Sequence, residues 1–178
     1  MRITGGKYCG RHIDVENGSM PIRPAMDRMR ESIFSILGPL DGLSFLDLFT
    51  GSGVIAVEAA SRGASPVSCV EKDPAKSSQL FKNVSISEER IQCHIMPVEL
   101  FLKRTKDHYD IIFCDPPFPY AYRQSLVQTV STRDLLKNGG KLLMHHPKED
   151  HLPQEIGTLA IVDQRNYGRS IVDFFQKK

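Results

Sequence analysis

The chain has 178 residues, 40% hydrophobic, 25% charged and 8% aromatic, with 13 Gly, 11 Pro, 4 Cys and a formal net charge of +2. This length suits one α/β domain with a sizeable core and excludes two ordinary domains plus a linker, while the composition excludes disordered and fibrous classes. No apolar run approaches the roughly 18 residues of a membrane helix, and no apolar stretch follows the charged start Met1-Arg2-Ile3-Thr4-Gly5-Gly6-Lys7, so neither a membrane partner nor a secretory signal is expected and a cytoplasmic address is implied.

A Gly-rich arm comes first, and Pro21-Ile22-Arg23-Pro24 then forbids a helix. Met29, Ile33, Ile36 and Leu37 recur at helical spacing and predict an amphipathic helix from Asp27 to Leu37, stopped by Gly38-Pro39. From Ser44 onward short apolar runs, predicted as strands over 45–49, 66–71, 91–96, 109–114 and 140–146, alternate with helical stretches over 54–62, 74–85, 98–105 and 123–136. That alternation implies a parallel sheet covered by helices on both faces. The last two strands, 159–167 and 170–175, are joined through Gly168, too short a link for a crossover helix, so they are expected as an antiparallel hairpin. The expected fold is therefore α/β and Rossmann-like, with a seven-stranded, mostly parallel sheet, a C-terminal hairpin and a short N-terminal extension. Residues 1–37 read as a basic arm and helix packed on a body of 38–178, and the whole as one monomeric domain.

The cysteines, Cys9, Cys69, Cys93 and Cys114, have no ligand spacing and read as buried reduced thiols. Residues 1–37 hold six basic residues against four acidic ones, and the remainder balances at 17 against 17. The excess charge is thus N-terminal, and Arg2, Lys7 and Arg11 could meet phosphate while the body stays neutral.

Phe45 to Ala56 runs as a strand, a Gly-rich turn and a helix start, with Asp47 at the strand end followed by Thr50-Gly51-Ser52-Gly53. Glycines let a ligand approach the backbone, and the free N–H groups of the helix start face it. Gly51-x-Gly53-x-x-Ala56 with Glu71 twenty residues after Gly51 also fits a dinucleotide fingerprint, so NAD is an alternative. Asp47 favours a ligand carrying an ammonium, as S-adenosylmethionine does, since a dinucleotide site needs no carboxylate there. The second motif, Asp115-Pro116-Pro117-Phe118, ends the strand over 109–114. Two prolines remove two N–H donors and stiffen the chain, so a carboxylate, a fixed Pro116 carbonyl and an aromatic ring together could receive a planar base with an exocyclic amine.

Met1-Arg2-Ile3-Thr4-Gly5-Gly6-Lys7-Tyr8-x-Gly10-Arg11, Ile22-Arg23-Pro24-x-x-Asp27-Arg28-x-Arg30-Glu31-Ser32-Ile33-Phe34, Asp47-Leu48-Phe49-x-Gly51-Ser52-Gly53, Ser61-Arg62-Gly63-Ala64 and Asp115-Pro116-Pro117-Phe118 together resemble the RsmD family of bacterial 16S rRNA methyltransferases acting on N2 of guanine 966. The resemblance implies a class I fold, S-adenosylmethionine as donor with S-adenosylhomocysteine as product, no metal, and 16S rRNA in a small-subunit assembly particle as substrate. By position it implies Arg23 and Arg28 over the cofactor, Asp47, Thr50, Gly51, Ser52 and Gly53 around it, Glu71 and Lys72 at its ribose, and Asp115, Pro116, Pro117 and Phe118 as the catalytic set. Arg2, Lys7, Arg11 and Tyr120 would meet RNA. The chain departs from the usual methyltransferase pattern at His94-Ile95-Met96-Pro97-Val98-Glu99, where the backbone N–H of Val98 replaces a side chain as the adenine donor. Asp73 reads as a helix cap, and His145-His146 lacks a third ligand for a metal. Other readings are an adenine-N6 or cytosine-N4 methyltransferase and a non-catalytic RNA-binding module.

Overall fold

In the computed structural model, residues 1–15 and 23–178 are described, without the side chains of Arg23 and Pro24. The helix α1 spans Arg23–Leu37. It begins four residues before the expected Asp27, because Pro24 falls in the first turn, where its missing N–H has no helical partner to lose. Pro21 and Ile22 lie outside the described residues. The strands β1 (Phe45–Leu48), β2 (Val67–Glu71), β3 (Ile91–Ile95), β4 (Tyr109–Cys114) and β5 (Leu136–Pro147) alternate with the helices α2 (Val54–Ser61), α3 (Ser77–Val84), α4 (Val98–Arg104) and α5 (Arg123–Thr132). The chain then closes with β6 (Glu155–Ile156), β7 (Leu159–Asn166) and β8 (Ser170–Lys177).

One eight-stranded sheet results, in the order 3-2-1-4-5-8-7-6. The pairs among β1 to β5 are parallel, and β8 joins β5 and β7 antiparallel. The eighth strand, β6, is two residues long and pairs with β7, too short to stand out as an apolar run. The alternating side chains of the strands feed two cores. Phe113, Leu143 and Phe174 pack with Met29, Ile33 and Phe34 of α1, Val57 of α2 and Leu80 of α3, while Ile112, Leu142 and Phe175 pack with Phe101 of α4 and Leu126 and Val130 of α5.

Two boundaries move. The helix expected over 74–85 splits into a 3-10 turn at Pro74–Lys76, where Asp73 accepts the Ala75 N–H at 3.0 Å as a cap, followed by α3. The stretch to Leu136 is not all helix: Asp134 (φ 53°) turns the chain, and β5 already begins at Leu136. The four thiols are free, with Cys69 and Cys114 buried, Cys93 half-buried and Cys9 exposed, so burial fails for Cys9.

The basic arm is a docked loop. Arg2 bridges His12, the Ile3 N–H donates to the Arg11 carbonyl at 2.9 Å, and Ile3, Tyr8 and Ile13 are core residues. The loop also lies hard against α2, for a Cβ on Gly6 would stand 1.9 Å from the Ser61 carbonyl oxygen, which accepts the Lys7 N–H at 2.7 Å.

Candidate active site

Strands β1 and β4 are neighbours, with Leu48 in register with Cys114, so both sequence motifs emerge side by side at the C-terminal edge. The strand order reverses direction between these two, the point where open α/β sheets bind ligands. A cavity of about 390 Å³ opens there, within the size range of small-molecule sites. Its wall includes Asp47, Phe49, Thr50, Gly51 and Ser52 from the first motif, Asp115 from the second, and Met26, Met29 and Arg30 from α1.

The first motif turns sharply. Phe49 itself takes a left-handed backbone (φ 62°), a conformation that costs a side-chain-bearing residue about 1–3 kcal/mol and recurs at functional sites. Gly53 (φ 82°) opens α2, and a Cβ there would meet Leu80 Cδ1 at 2.7 Å. Asn83 of α3 staples the loop by donating to the Ser52 and Asp14 carbonyls, each at 2.8 Å. Glu71 braces it from β2, accepting the Gly51 N–H at 3.0 Å on one oxygen and the Asp73 N–H at 2.9 Å on the other.

Asp47 is buried and accepts the Thr50 hydroxyl. Burial pushes its carboxyl up to about 8, and the Asp115 and Glu71 carboxylates add to the rise against the Thr50 hydrogen bond. Such a carboxyl ionises readily only when a cation arrives. On the same wall stands the guanidinium of Arg30, buried, with Nε 3.3 Å from Glu58 and Nη2 3.2 Å from Asp27. An acid wanting a cation and a buried guanidinium on one cavity wall suit a zwitterionic amino acid group, so the residues present fit the head of S-adenosylmethionine.

In the second motif Pro116 is buried and Phe118 is 49% exposed. Arg123 of α5 holds the loop, donating to the carbonyls of Pro117 at 2.9 Å, Phe118 at 3.1 Å and Tyr120, and pairing with Asp150 at 2.9 Å. Among the described residues nothing donates to the Pro116 carbonyl, which stays available as an acceptor. Asp115 accepts at Oδ1 from His145 Nδ1 at 2.7 Å. Tyr120 stands edge-on to Phe49 with ring centroids 5.3 Å apart and donates to Glu99 at 2.5 Å, and burial with the Glu99 carboxylate holds its phenol above the usual range.

A family model described as conserved hypothetical protein 95 matches residues 1–176. Ribosomal RNA small subunit methyltransferase D of Escherichia coli K12 is 28% identical, covering 100% of this chain and 90% of that protein. Its namesake in Haemophilus influenzae is 31% identical, covering 85% of this chain and 81% of its own. The chain belongs to the RsmD family. The solved structure of Escherichia coli yhhF is 26% identical and superposes with a TM-score of 0.89 over 100% of this chain and 98% of that one, so the fold is that of the class I methyltransferases.

Several residues assigned by RsmD resemblance do not line this cavity or already have partners within the chain. Arg28 is exposed and does not line the cavity; α1 turns Arg30 inward instead. The Arg23 side chain lies outside the described residues. Glu71, Lys72 and Val98 are also absent from that wall: Glu71 accepts the Gly51 and Asp73 N–H groups, Lys72 is exposed, and Val98 opens α4, where first-turn N–H groups lack helical partners. Arg2, Lys7 and Arg11 are exposed, but Lys7 is paired with Glu88 at 2.5 Å and Arg2 donates to the Gly10 carbonyl at 3.0 Å.

Sequence reasoning gave no site role to Arg30, although it stands inside the family motif, weighed His145 only as a metal ligand, and missed Glu58, Asn83 and Arg123. Glu58 left a signal as the single charge in the apolar helix Val54–Ser61. It accepts from Thr4 N at 3.0 Å, Thr4 Oγ1 at 2.7 Å and Gly5 N at 3.0 Å, and pairs with Arg62 at 3.0 Å.

Proposed function

We propose that this protein transfers a methyl group from S-adenosylmethionine to the exocyclic N2 of a guanine in 16S rRNA, carried in a small-subunit assembly particle. The observation that carries the reading is that Asp47, Arg30 and Asp115 share one cavity wall, which supports an amino acid receptor beside an amine acceptor. The relatives named ribosomal RNA small subunit methyltransferase D support the nucleic-acid side.

Bound S-adenosylmethionine supplies an electrophilic methyl group on a sulfonium. Asp47 would hold the ammonium of its amino acid group and Arg30 its carboxylate, and the Val98 N–H at the start of α4, outside the cavity wall, would take its adenine. Asp115 and the Pro116 carbonyl accept the two N–H bonds of the target amine. Accepting them counters delocalisation of the nitrogen lone pair into the base and aims it at the methyl carbon, so that forming the N–C bond would break the S–C bond, release S-adenosylhomocysteine and pass the surplus amine proton to the Asp115 carboxylate and on to solvent. The exposed Phe118 ring stacks on the base, which must leave its own stack at a cost of a few kcal/mol, so a loop nucleotide is favoured over one in a duplex. Residues 1–37 and 38–178 act as one unit, with Arg11, Arg2 and Lys7 presented to RNA by a loop clamped onto α2.

Undermodified small-subunit particles incubated with protein and cofactor should yield N2-methylguanosine in 16S rRNA by nucleoside mass spectrometry. Its absence would count decisively against the assignment. Asp115→Ala should abolish turnover with cofactor affinity nearly unchanged.

A further inference from the structure

We propose that His145 is a positioning residue for the amine acceptor: its Nδ1–H holds Oδ1 of Asp115 so that Oδ2 faces the target nitrogen. The inference rests on the reading of Asp115 given above. Asp115 follows the last residue of β4 and its side chain is 27% exposed, so nothing in its own strand fixes the carboxylate. The fixing group comes from the adjacent strand. His145 lies on β5, its side chain 7% exposed, with Nδ1 2.7 Å from Oδ1. A carboxylate oxygen only accepts, so the proton of that bond sits on Nδ1.

Two further features single this histidine out. Its Nε2 is buried and has no hydrogen-bond partner among the described residues, so the bond to Asp115 is its one polar engagement. A buried ring nitrogen without a partner costs stability, and its neighbour shows a fully satisfied arrangement: His146, on the opposite face, bonds the Pro147 carbonyl and Asp173, each at 2.8 Å. The His145 ring also stands edge-on to Phe118, with centroids 5.8 Å apart and planes at 65°. One imidazole therefore touches both the acceptor carboxylate and the exposed ring assigned to stacking, without itself reaching the reacting atoms. Misplacement of a reacting group by about 1 Å can cost on the order of 100-fold in rate.

The test compares His145→Asn, whose amide nitrogen occupies the place of Nδ1, with His145→Leu, which keeps bulk and lacks the donor. At saturating RNA and cofactor, kcat of the Leu variant should fall about 100-fold, while Asn should stay near the wild type and cofactor affinity by calorimetry should hold in both. A Leu variant at wild-type kcat, or Asn and Leu equally impaired, overturns the proposal. Should Leu fail to fold, His145→Gln replaces it, since its amide nitrogen lies one bond too far and its kcat should fall below that of Asn; equal rates again overturn the role. A readout independent of turnover is the 15N spectrum of the imidazole, which should place the proton on Nδ1 and lose that preference in Asp115→Ala. A ring protonated at Nε2 alone refutes the hydrogen bond. Failure to form N2-methylguanosine with this spectrum intact would instead overturn only the substrate assignment.

Discussion

Glu58 of α2 and Arg30 of α1 face each other at 3.3 Å, both buried, and between them they join the N-terminal loop to the cavity wall. Glu58 takes the Thr4 and Gly5 N–H groups while Arg30 donates to the Arg2 carbonyl at 2.6 Å. Removing one partner leaves a buried charge uncompensated, which typically costs about 3–5 kcal/mol. Glu58→Gln should therefore lower the unfolding free energy by about 3 kcal/mol in urea titrations and weaken cofactor binding through the released Arg30. A variant as stable as the wild type would show that the network contributes nothing to docking the loop.

The alternation of apolar runs revealed the sheet because β1 and β2 are buried along their whole length, β4 is buried at every residue but Asp110, and most of their residues are apolar. The two motifs stood out because each breaks an apolar strand pattern with an acid and a Gly or Pro pair, residues that also build ordinary turns, and the sheet brings both to one edge by pairing β1 with β4. The residues that hold those motifs did not stand out. Arg123 sits 5–8 residues from the motif it clamps and reads locally as a helix start, and His145 meets Asp115 only because β5 lies beside β4. Arg28 and Arg30 differ by two positions on a helix, and which one faces inward depends on the rotation of α1 against Met29 and Ile33 in the core.

Cofactor binding should take up the Asp47 titration. The free carboxyl sits at about 8, so at pH 6 it is protonated, and binding an ammonium beside it releases that proton. Affinity for S-adenosylmethionine should rise with pH, approaching about tenfold per unit from 6 to 7.5, then level as the ligand's own amino group loses its proton near 7.7–8.0. Calorimetry in buffers of different ionisation enthalpy would register the proton release. In Asp47→Asn the slope should vanish along with most of the affinity, and a flat wild-type profile would place the ammonium elsewhere.

Arg123 ties down the loop after β4 through three carbonyls, so Arg123→Met should keep the apolar stem and lose the clamp. The expected result is a drop in kcat of about 100-fold from the misplaced Pro116 carbonyl, with cofactor affinity within a factor of about 3. Protection of the Tyr120 amide, which donates to the Pro117 carbonyl at 2.8 Å, against hydrogen exchange should fall as well. Unchanged kcat would mean that Pro116 and Pro117 hold the loop unaided.

The His146–Asp173 pair should give stability a pH dependence of its own. Both ring nitrogens face oxygens that only accept, the Pro147 carbonyl and Asp173 Oδ2, and Asp173 Oδ1 accepts from Gln164 at 2.6 Å, so the ring carries both protons and the pair is ionic. Burial works to lower the imidazole, as does Arg123, but the Asp173 and Pro147 hydrogen bonds outweigh them and raise it above 6.5. A histidine raised on folding stabilises fully below its unfolded value and loses that contribution as pH rises through the folded one. Stability should therefore fall above pH 6.5, and the raised carboxyl of Asp47 adds a slope of the same sign between 3.8 and about 8. Asp173→Asn separates the two: it should lower stability by about 3 kcal/mol at pH 6 and by less at pH 9, leaving the Asp47 slope in place. An equal loss at both values would mean that the imidazole does not titrate with folding.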